Sequence, residues 1–284
     1  MIPSVGRTTL LRSVLSSLNQ SSEDVQVIVV LEEGSVAPSL PSDPRLTIFE
    51  NLGSSGAAAN RNIGASKAEN YWVTFLDDDD FLAPNHVQSV LLSAHQVRED
   101  HAWVTGVSGI SPKNESFYSR IPANLVPKGA HWSLSPNVTW EQSLTKQSLF
   151  VPRNILLNIG GFDATLPSRI LTEFFWRLNA ELPIFGSSKV TYLRTVWGGE
   201  SAVAHIGSSK KHRSASFEQL MKKHRPLMKL HPIGARRMLR EHIRRCVSDG
   251  LFMEVAKTVG RYANPGSVGM SEICAECHDP FRSA

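Results

Sequence analysis

An apolar segment that runs directly into four consecutive aspartates constrains this chain more than any other feature. Residues 71–76 are mostly aromatic or β-branched and too few for a typical helix, so they predict a buried strand. Residues 77–80 are all aspartate and follow at the C-terminal end of that strand. Neighbouring carboxylates repel one another, and a run of them beside an apolar strand is costly unless a cation is present.

An acidic run can simply be a solvated surface loop, and that is the alternative interpretation here. The preceding strand favours a binding site, because ligands of open α/β sheets bind at the carboxyl ends of the strands. Hard divalent ions prefer carboxylate oxygens and are commonly shared with substrate phosphates. We therefore expect Mn²⁺ or Mg²⁺, together with a phosphate group, at residues 77–80.

Strands and helices alternate along the first hundred residues. Apolar runs at 25–31 and 46–49 predict two further strands. Apolar residues at helical spacing predict a helix that Thr8 or Thr9 can cap, and small residues at 56–65 predict another. This alternation predicts an α/β fold with a mostly parallel central sheet flanked by helices.

Regularity is lost in the middle of the chain and then returns. Residues 110–145 are rich in Ser, Pro and Asn without a clear period, so we expect loops over the active face. Further elements are predicted as follows: a strand at 148–151, a helix at 171–178, a strand at 190–193 and basic helices at 214–262, broken at Pro226 and Pro232.

Charge is distributed unevenly along the chain. The net charge is +4, but residues 205–245 carry 12 Lys/Arg and 2 Asp/Glu, a local balance of +10 that leaves −6 elsewhere. The segment 210–245 can be a solvated helical surface, or it can bind a membrane surface, since anionic lipids attract Lys and Arg. Nucleic-acid binding is not expected, because almost no aromatic residues are interleaved with the charges.

Cysteine usage and hydropathy bear on location. No run of about 18 apolar residues predicts a membrane span, and three cysteines near one end do not form a disulfide framework. We expect a cytoplasmic protein, peripheral to the inner face of the membrane if residues 210–245 bind lipid. Cys274, Cys277 and His278 match the spacing of haem attachment, but without an export signal they favour a solvated tail.

Several short motifs occur in an order that resembles one family. They are Ile2-Pro3-Ser4 with Arg7, Glu32-Glu33-Gly34-Ser35, Asn51-x-Gly53, Asn60-Arg61-Asn62-x-Gly64, Asp77-x-Asp79 and Gly160-Gly161-Phe162-Asp163. Together they resemble glycosyltransferase family 2 over about residues 1–205. The resemblance implies a GT-A (Rossmann-like) fold for 1–205, and we expect a basic helical extension at 206–265 and a flexible tail at 266–284.

The resemblance also implies roles for individual residues. Asp77 would contact the nucleotide ribose, and Asp79 would hold the metal that bridges the diphosphate. Glu32 would read the base and Arg61 would help to hold the nucleotide, although a salt bridge to the acidic loop is an equal alternative for Arg61. The predicted donor-binding and metal residues are Pro3, Glu32, Arg61, Asp77, Asp78, Asp79 and His205.

The chain departs from the family pattern at three places. Only Met1 and Ile2 precede Pro3 where the family has a full first strand, which suggests a missing strand or a replacement for it. The metal-binding histidine is displaced, because Trp197 stands in its place and His205 comes eight residues later. The acceptor helix lacks the catalytic base that the family places near its start.

That base is normally an aspartate in a Glu-Asp pair, and the aligned positions here hold Ile170 and Leu171. Glu173 is the predicted replacement, although its offset along the helix can point it away from the site. Asp163 is a second candidate, with a turn-forming role as its alternative.

A metal-dependent inverting glycosyltransferase is the function that these features favour. It would transfer a sugar from a nucleotide-diphosphate donor to a glycan or lipid-linked acceptor, which requires a base and stabilisation of the leaving diphosphate. The missing Glu-Asp pair leaves open a non-catalytic GT-A module that binds a nucleotide-sugar or glycan. A nucleotidyltransferase is disfavoured, because its glycine-rich opening loop is not visible.

Overall fold

A computed structural model describes residues 1–53, 56–111, 115–131, 146–196 and 210–262. The described residues form two compact units. The first unit contains 1–131, 146–165 and 170–196, and the second contains Leu166–Arg169 and 210–262. None of the helices in the described part of the chain combines the length and the apolar character that crossing a bilayer requires.

A three-stranded parallel sheet opens the first unit. Its order is β1 (Ile2–Ser4), β2 (Val27–Glu32) and β3 (Leu46–Asn51), with β2 in the centre. The apolar residues of β2 are buried, as expected for a parallel strand covered on both faces. Helices α1 (Leu10–Leu18) and α2 (Ala57–Lys67) are connected to these strands.

A seven-stranded sheet forms the remainder of the first unit. Its main path has the order β4 (Trp72–Thr74), β9 (Leu149–Pro152), β6 (Ala102–Ile110), β10 (Ile184–Thr195) and β5 (Phe81–Leu82). Two short strands lie off this path: β7 (Ser116–Arg120) pairs with β6, and β8 (Leu125–Val126) pairs with β10. The helices of this part are α3 (His86–Ala94), α4 (Arg153–Asn158) and α5 (Ile170–Glu181).

The α/β fold predicted from the sequence is confirmed. The two most extensive strand pairings, β2 with β3 and β6 with β10, are parallel, as is that of β1 with β2, whereas β4, β5, β7, β8 and β9 pair antiparallel. The first strand is short, but each of its three residues pairs with β2, and the Leu76 amide donates to the Met1 carbonyl at 3.0 Å.

Several local predictions were wrong. The strand predicted at 71–76 is regular only over Trp72–Thr74, and residues 75 and 76 lie outside regular secondary structure. The loops predicted at 110–145 include two strands, Ser116–Arg120 and Leu125–Val126. Among the described strands the first pairs with β6 alone, and its side chains are largely exposed, so it lacks an apolar pattern. Thr9 occupies the N-cap of α1 without a side-chain hydrogen bond.

The second unit is helical, with α6 (Lys210–Lys223), α7 (Arg225–Leu230), α8 (Pro232–Ser248) and α9 (Phe252–Tyr262). The predicted breaks are confirmed, since Pro226 and Pro232 lie in the first turns of α7 and α8, where proline is tolerated. Phe217 stacks on His242 with ring centroids 3.8 Å apart. Burial, together with Arg169 and Arg245, lowers the pKa of His242 to about 4.

Candidate active site

Three aspartate carboxylates meet in the connection between β4 and β5. Oxygens of Asp77, Asp79 and Asp80 lie within 4.8 Å of one another. Asp80 is buried, and burial raises its pKa well above the usual range, with the charges of Asp77 and Asp79 adding to the effect. A divalent cation would offset this repulsion, and an all-carboxylate donor set suits Mg²⁺ or Mn²⁺.

Asp78 points away from this cluster. Its carboxylate accepts hydrogen bonds from the Ser4 hydroxyl at 2.7 Å and from Arg7 Nη1 at 2.5 Å. Asp78 is buried, and Ser4 is the last residue of β1. Asp78 therefore ties the acidic loop to the end of β1, and a role for it in donor binding stays a prediction.

Asp80 was expected at the metal site only as part of the run 77–80, and no individual role was predicted for it, although it is a member of the cluster. Its only sequence signal was its place as the fourth aspartate of the run. The Tyr192 hydroxyl and the Thr195 backbone amide, both on β10, donate to its two carboxylate oxygens, each at 2.8 Å. These partners lie more than 100 residues away along the chain, so the sequence offered no local sign of them.

Arg61 lies on α2 and reaches the carboxylate cluster. Its Nη2 atom donates to Asp77 Oδ1 at 2.5 Å. The Arg61 side chain is buried while that of Asp77 is 40% exposed, so the pair opens to solvent on the aspartate side. The salt bridge that was one alternative for Arg61 is therefore present, and contact with a nucleotide stays a prediction.

The residues on either side of Arg61 reach three other motifs. The Asn60 side chain accepts a hydrogen bond at Oδ1 from the side-chain amide of Asn51, at 2.7 Å. Its Nδ2 atom donates to Glu32 Oε1 at 3.4 Å. Asn62 accepts from the Phe162 backbone amide at 2.7 Å and donates to the Phe162 carbonyl at 2.8 Å. Successive helical residues project about 100° apart, so this one turn of α2 contacts four separate segments: the ends of β2 and β3, the acidic loop and the glycine turn.

Glu32 ends β2 and faces the start of α2. Its Oε1 accepts from the Gly56 backbone amide at 2.5 Å, and the side chain is partly exposed. This position at the carboxyl end of a parallel strand suits the predicted contact with a nucleotide base. Pro3 is buried within β1 in register with Val30, so its part in donor binding also stays a prediction.

Glu173 is fully buried on α5, and its carboxylate is paired with Arg177. Arg177 donates from Nε and Nη2 to the two Glu173 oxygens, at 2.8 and 2.6 Å. The same guanidinium donates to the Ile159 and Gly161 carbonyls, at 2.6 and 2.7 Å. Glu173 thus helps to attach α5 to the preceding glycine turn, and this geometry does not support its predicted role as the base.

Two other predicted positions complete the comparison with the sequence. Asp163 is partly exposed, and its Oδ1 accepts from the backbone amide and the hydroxyl of Thr165, so it forms the turn that was its alternative role. His205, the predicted metal ligand, and Trp197 lie outside the described residues.

The glycosyl transferase family 2 model matches residues 1–162, which is more than half of the chain. This protein belongs to glycosyltransferase family 2. The match runs from the motif at β1 to Phe162 of the glycine turn and ends before α5, the helix on which the catalytic base was expected.

Curated relatives carry glycosyltransferase names. An uncharacterized glycosyltransferase of Haemophilus influenzae is 28% identical over 204 residues, 67% of this chain and 64% of that protein. Chondroitin synthase of Pasteurella multocida is 23% identical over 226 residues, 75% of this chain and 22% of the synthase. This chain therefore spans between about a fifth and two thirds of the length of these relatives.

Solved structures share the fold. The S. aureus TarS 1–349 structure in complex with UDP-GlcNAc has a TM-score of 0.56 and 17% identity, covering 87% of this chain and 71% of that one. The corresponding complex with UDP has a TM-score of 0.53 and 16% identity, covering 93% of this chain and 70% of that one. The likeness extends the GT-A fold assignment beyond the residues matched by the family model.

Proposed function

We propose that this chain transfers a sugar from a nucleoside diphosphate donor in a metal-dependent reaction. The cluster of Asp77, Asp79 and Asp80 that follows β4 carries the proposal, because it concentrates negative charge and presents carboxylate oxygens where α/β sheets bind phosphates. A divalent ion held there, chiefly by Asp79, would neutralise charge that develops on the departing diphosphate.

Donor binding is assigned to residues that converge on the cluster. Glu32 ends β2 and Asp77 follows β4 by three residues, and both contact residues of the same turn of α2. Arg61 places a positive charge beside Asp77, whose exposed side a diphosphate would approach. The TarS structures contain UDP-GlcNAc and UDP, which supports a uridine nucleotide as the first donor class to test.

An inverting mechanism also requires a base for the acceptor hydroxyl. Glu173 is buried and its carboxylate is paired with Arg177. Of the two carboxylates predicted as the base, Asp163 is therefore the better candidate. The apolar residues Ile170 and Leu171 at the start of α5 favour the second candidate function, a module that binds donor or glycan without transfer. Measured turnover of the sugar donor distinguishes the transferase from the binding module.

The test is donor hydrolysis with a panel of nucleotide sugars and Mn²⁺ or Mg²⁺. We expect turnover that a chelator abolishes, and loss of metal-dependent UDP binding in Asp79→Ala. Asp43→Ala is the matched control, because Asp43 pairs with Arg45 ahead of β3, far along the chain from the cluster. Tight, metal-dependent UDP binding without any turnover would instead establish the binding module.

For the acceptor, we propose a glycan or lipid-linked molecule that is met at the inner, cytoplasmic face of a membrane. Residues 219–240 contain no Asp or Glu. Among their basic residues, Lys222, Arg225 and Lys229 are exposed and form no ion pair with a described residue. Next to them, Leu230 and Ile233 are 76% and 66% exposed at the junction of α7 and α8. Exposed apolar side chains close along the chain to exposed basic ones match an anionic lipid surface.

Vesicle sedimentation tests this membrane surface. We expect the protein to bind vesicles that contain phosphatidylglycerol, to release them at high salt, and to ignore pure phosphatidylcholine. Leu230→Ser with Ile233→Ser should weaken binding, whereas Leu92→Ser, at a 61% exposed leucine of α3, should not. Equal binding to both kinds of vesicle, or to neither, would contradict the proposal.

A further inference from the structure

We propose that Tyr192 and Thr195 are positioning residues that set the geometry of the metal-binding loop by holding Asp80. In this arrangement Asp80 is the point of attachment for the loop rather than a third metal ligand. The inference rests on the proposed metal-dependent function. It gives a role in that function to Tyr192 and Thr195, which lie beyond residue 162, where the family match ends.

The first observation is that both carboxylate oxygens of Asp80 are engaged by β10. The Tyr192 hydroxyl donates to Oδ2 and the Thr195 backbone amide donates to Oδ1, each at 2.8 Å. All three residues are buried. Two donors from one strand therefore fix the orientation of this carboxylate. A metal ligand would instead direct its oxygens towards an open site, so Asp80 is better described as a supporting residue.

The same two β10 residues also hold the backbone of the loop. The Asp77 amide donates to the Tyr192 hydroxyl at 3.3 Å, so one phenol bridges the first and last residues of the run. The Thr195 hydroxyl donates to the Asp79 carbonyl at 2.5 Å. Thr195 therefore fixes the backbone of Asp79 through its carbonyl, and this bond does not use the Asp79 carboxylate.

Tyr192 and Thr195 are held rigidly themselves. Strand β10 pairs with β6 over eight residues, including both of these, and Tyr192 pairs with Leu82 of β5. From the other side, the Ser13 hydroxyl of α1 donates to the Asp80 carbonyl at 2.6 Å. Metal ligands need placement to about 0.5 Å, and loop residues reach that precision only with such support.

The phenol of Tyr192 provides both hydrogen bonds that this part requires. Its O–H donates to Asp80 Oδ2 and its oxygen accepts from the Asp77 amide, and phenylalanine would lose both bonds. Losing a supporting hydrogen bond of this kind typically lowers metal affinity 10- to 100-fold.

The experiment measures Mn²⁺ binding directly, by paramagnetic resonance of free Mn²⁺ in titrations with UDP present. We expect Tyr192→Phe and Thr195→Val to raise the Kd for Mn²⁺ by about 10- to 100-fold. Thr195→Ser keeps the hydroxyl and should bind nearly as the unaltered protein does. Tyr118→Phe is the control, since that phenol contacts Arg194 of β10 but not the acidic loop.

Donor hydrolysis gives the second readout. If the two residues only position the loop, saturating Mn²⁺ should restore most of kcat in Tyr192→Phe, whereas Asp79→Ala stays inactive. Unchanged Mn²⁺ affinity in both Tyr192→Phe and Thr195→Val, with thermal melts showing folded protein, would overturn the inference while leaving the metal proposal intact. Failure of the unaltered protein to bind Mn²⁺ would overturn the metal proposal and this inference with it.

Discussion

Glu173 and Arg177 form a bidentate ion pair one turn apart on α5, and the Glu173 side chain is fully buried. Removing one partner of a buried pair leaves the other without compensation, which typically costs 3–5 kcal/mol. Glu173→Gln should therefore lower the free energy of unfolding by about 3 kcal/mol. Transfer per folded molecule should remain, and denaturant unfolding with initial rates at 15 °C measures both.

Glu181→Gln is the control for that substitution, since Glu181 is exposed at the end of the same helix. It should alter neither stability nor rate. The opposite pattern in Glu173→Gln, with full stability and lost transfer, would restore Glu173 as the base.

The glycine turn before α5 offers a matched pair of substitutions. Gly160 and Gly161 both have positive φ, at 80° and 63°. A Cβ on Gly160 meets nothing within 4 Å, whereas a Cβ on Gly161 collides with the Asn62 side chain. Gly160→Ala should cost about 1 kcal/mol of unfolding free energy, from backbone strain alone.

Gly161→Ala should cost at least about 1 kcal/mol more, because Asn62 must then give up its two bonds to Phe162. Thermal or denaturant unfolding of the two variants measures the difference. Equal losses would show that Asn62 moves aside freely and that its bonds to the turn contribute little.

Substitution of Arg61 by lysine separates the contribution of its charge to donor binding from that of its planar guanidinium. Arg61→Lys keeps the positive charge but loses the planar fork that bonds Asp77, so we expect UDP to bind about 10-fold more weakly in the presence of Mn²⁺. Arg153→Lys is the control, because Arg153 also bonds α2 but at the backbone carbonyls of Ala65 and Ser66. Calorimetric titration measures both, and equal affinities would remove Arg61 from the donor site.

Acidification should destabilise the protein through buried histidine. Burial lowers the pKa of His86 to about 3, and no described residue bonds its Nε2 atom. Because the unfolded chain takes up this proton near pH 6.5 and the folded one does not, stability is complete above pH 6.5 and falls as the pH drops towards 3. The loss at pH 5 should be about 2 kcal/mol.

Melting curves between pH 5 and 8 test this sign. His86→Gln should flatten the acid side of the profile, whereas His95→Gln, at an exposed position just after α3, should leave its slope as it was. His242, whose pKa is lowered to about 4, should account for part of the slope that remains. An unaltered slope in His86→Gln would contradict burial as the cause.

Elements with a strong local pattern were predictable from the sequence. The apolar run at 25–31 became β2, and the apolar face of 171–178 lies within α5. Strand β7 was missed because its side chains are largely exposed and its stability comes from pairing with β6. Apolar periodicity cannot reveal an element of that kind.

The candidate site was predictable only in part, for a related reason. Asp77 and Asp79 were visible because the aspartates are adjacent, and Arg61 because of its motif. The contacts of Tyr192 and Thr195 with Asp80 bridge 112 and 115 positions of the chain, so they depend on the tertiary fold. The pairing of Glu173 with Arg177 fits helical i,i+4 spacing, but spacing alone could not show that the pair is buried.

The acidic loop and β10 are far apart along the chain, so they are made at different times during synthesis. A ribosome makes residues 77–80 long before Tyr192 and Thr195, and domains assemble as units once their parts have emerged. Until residue 195 has emerged, the nascent chain holds these four aspartates without the strand that binds the Asp80 carboxylate. A fragment that stops at residue 162 would contain the whole family match and still lack two of the hydrogen-bond donors that hold its acidic loop.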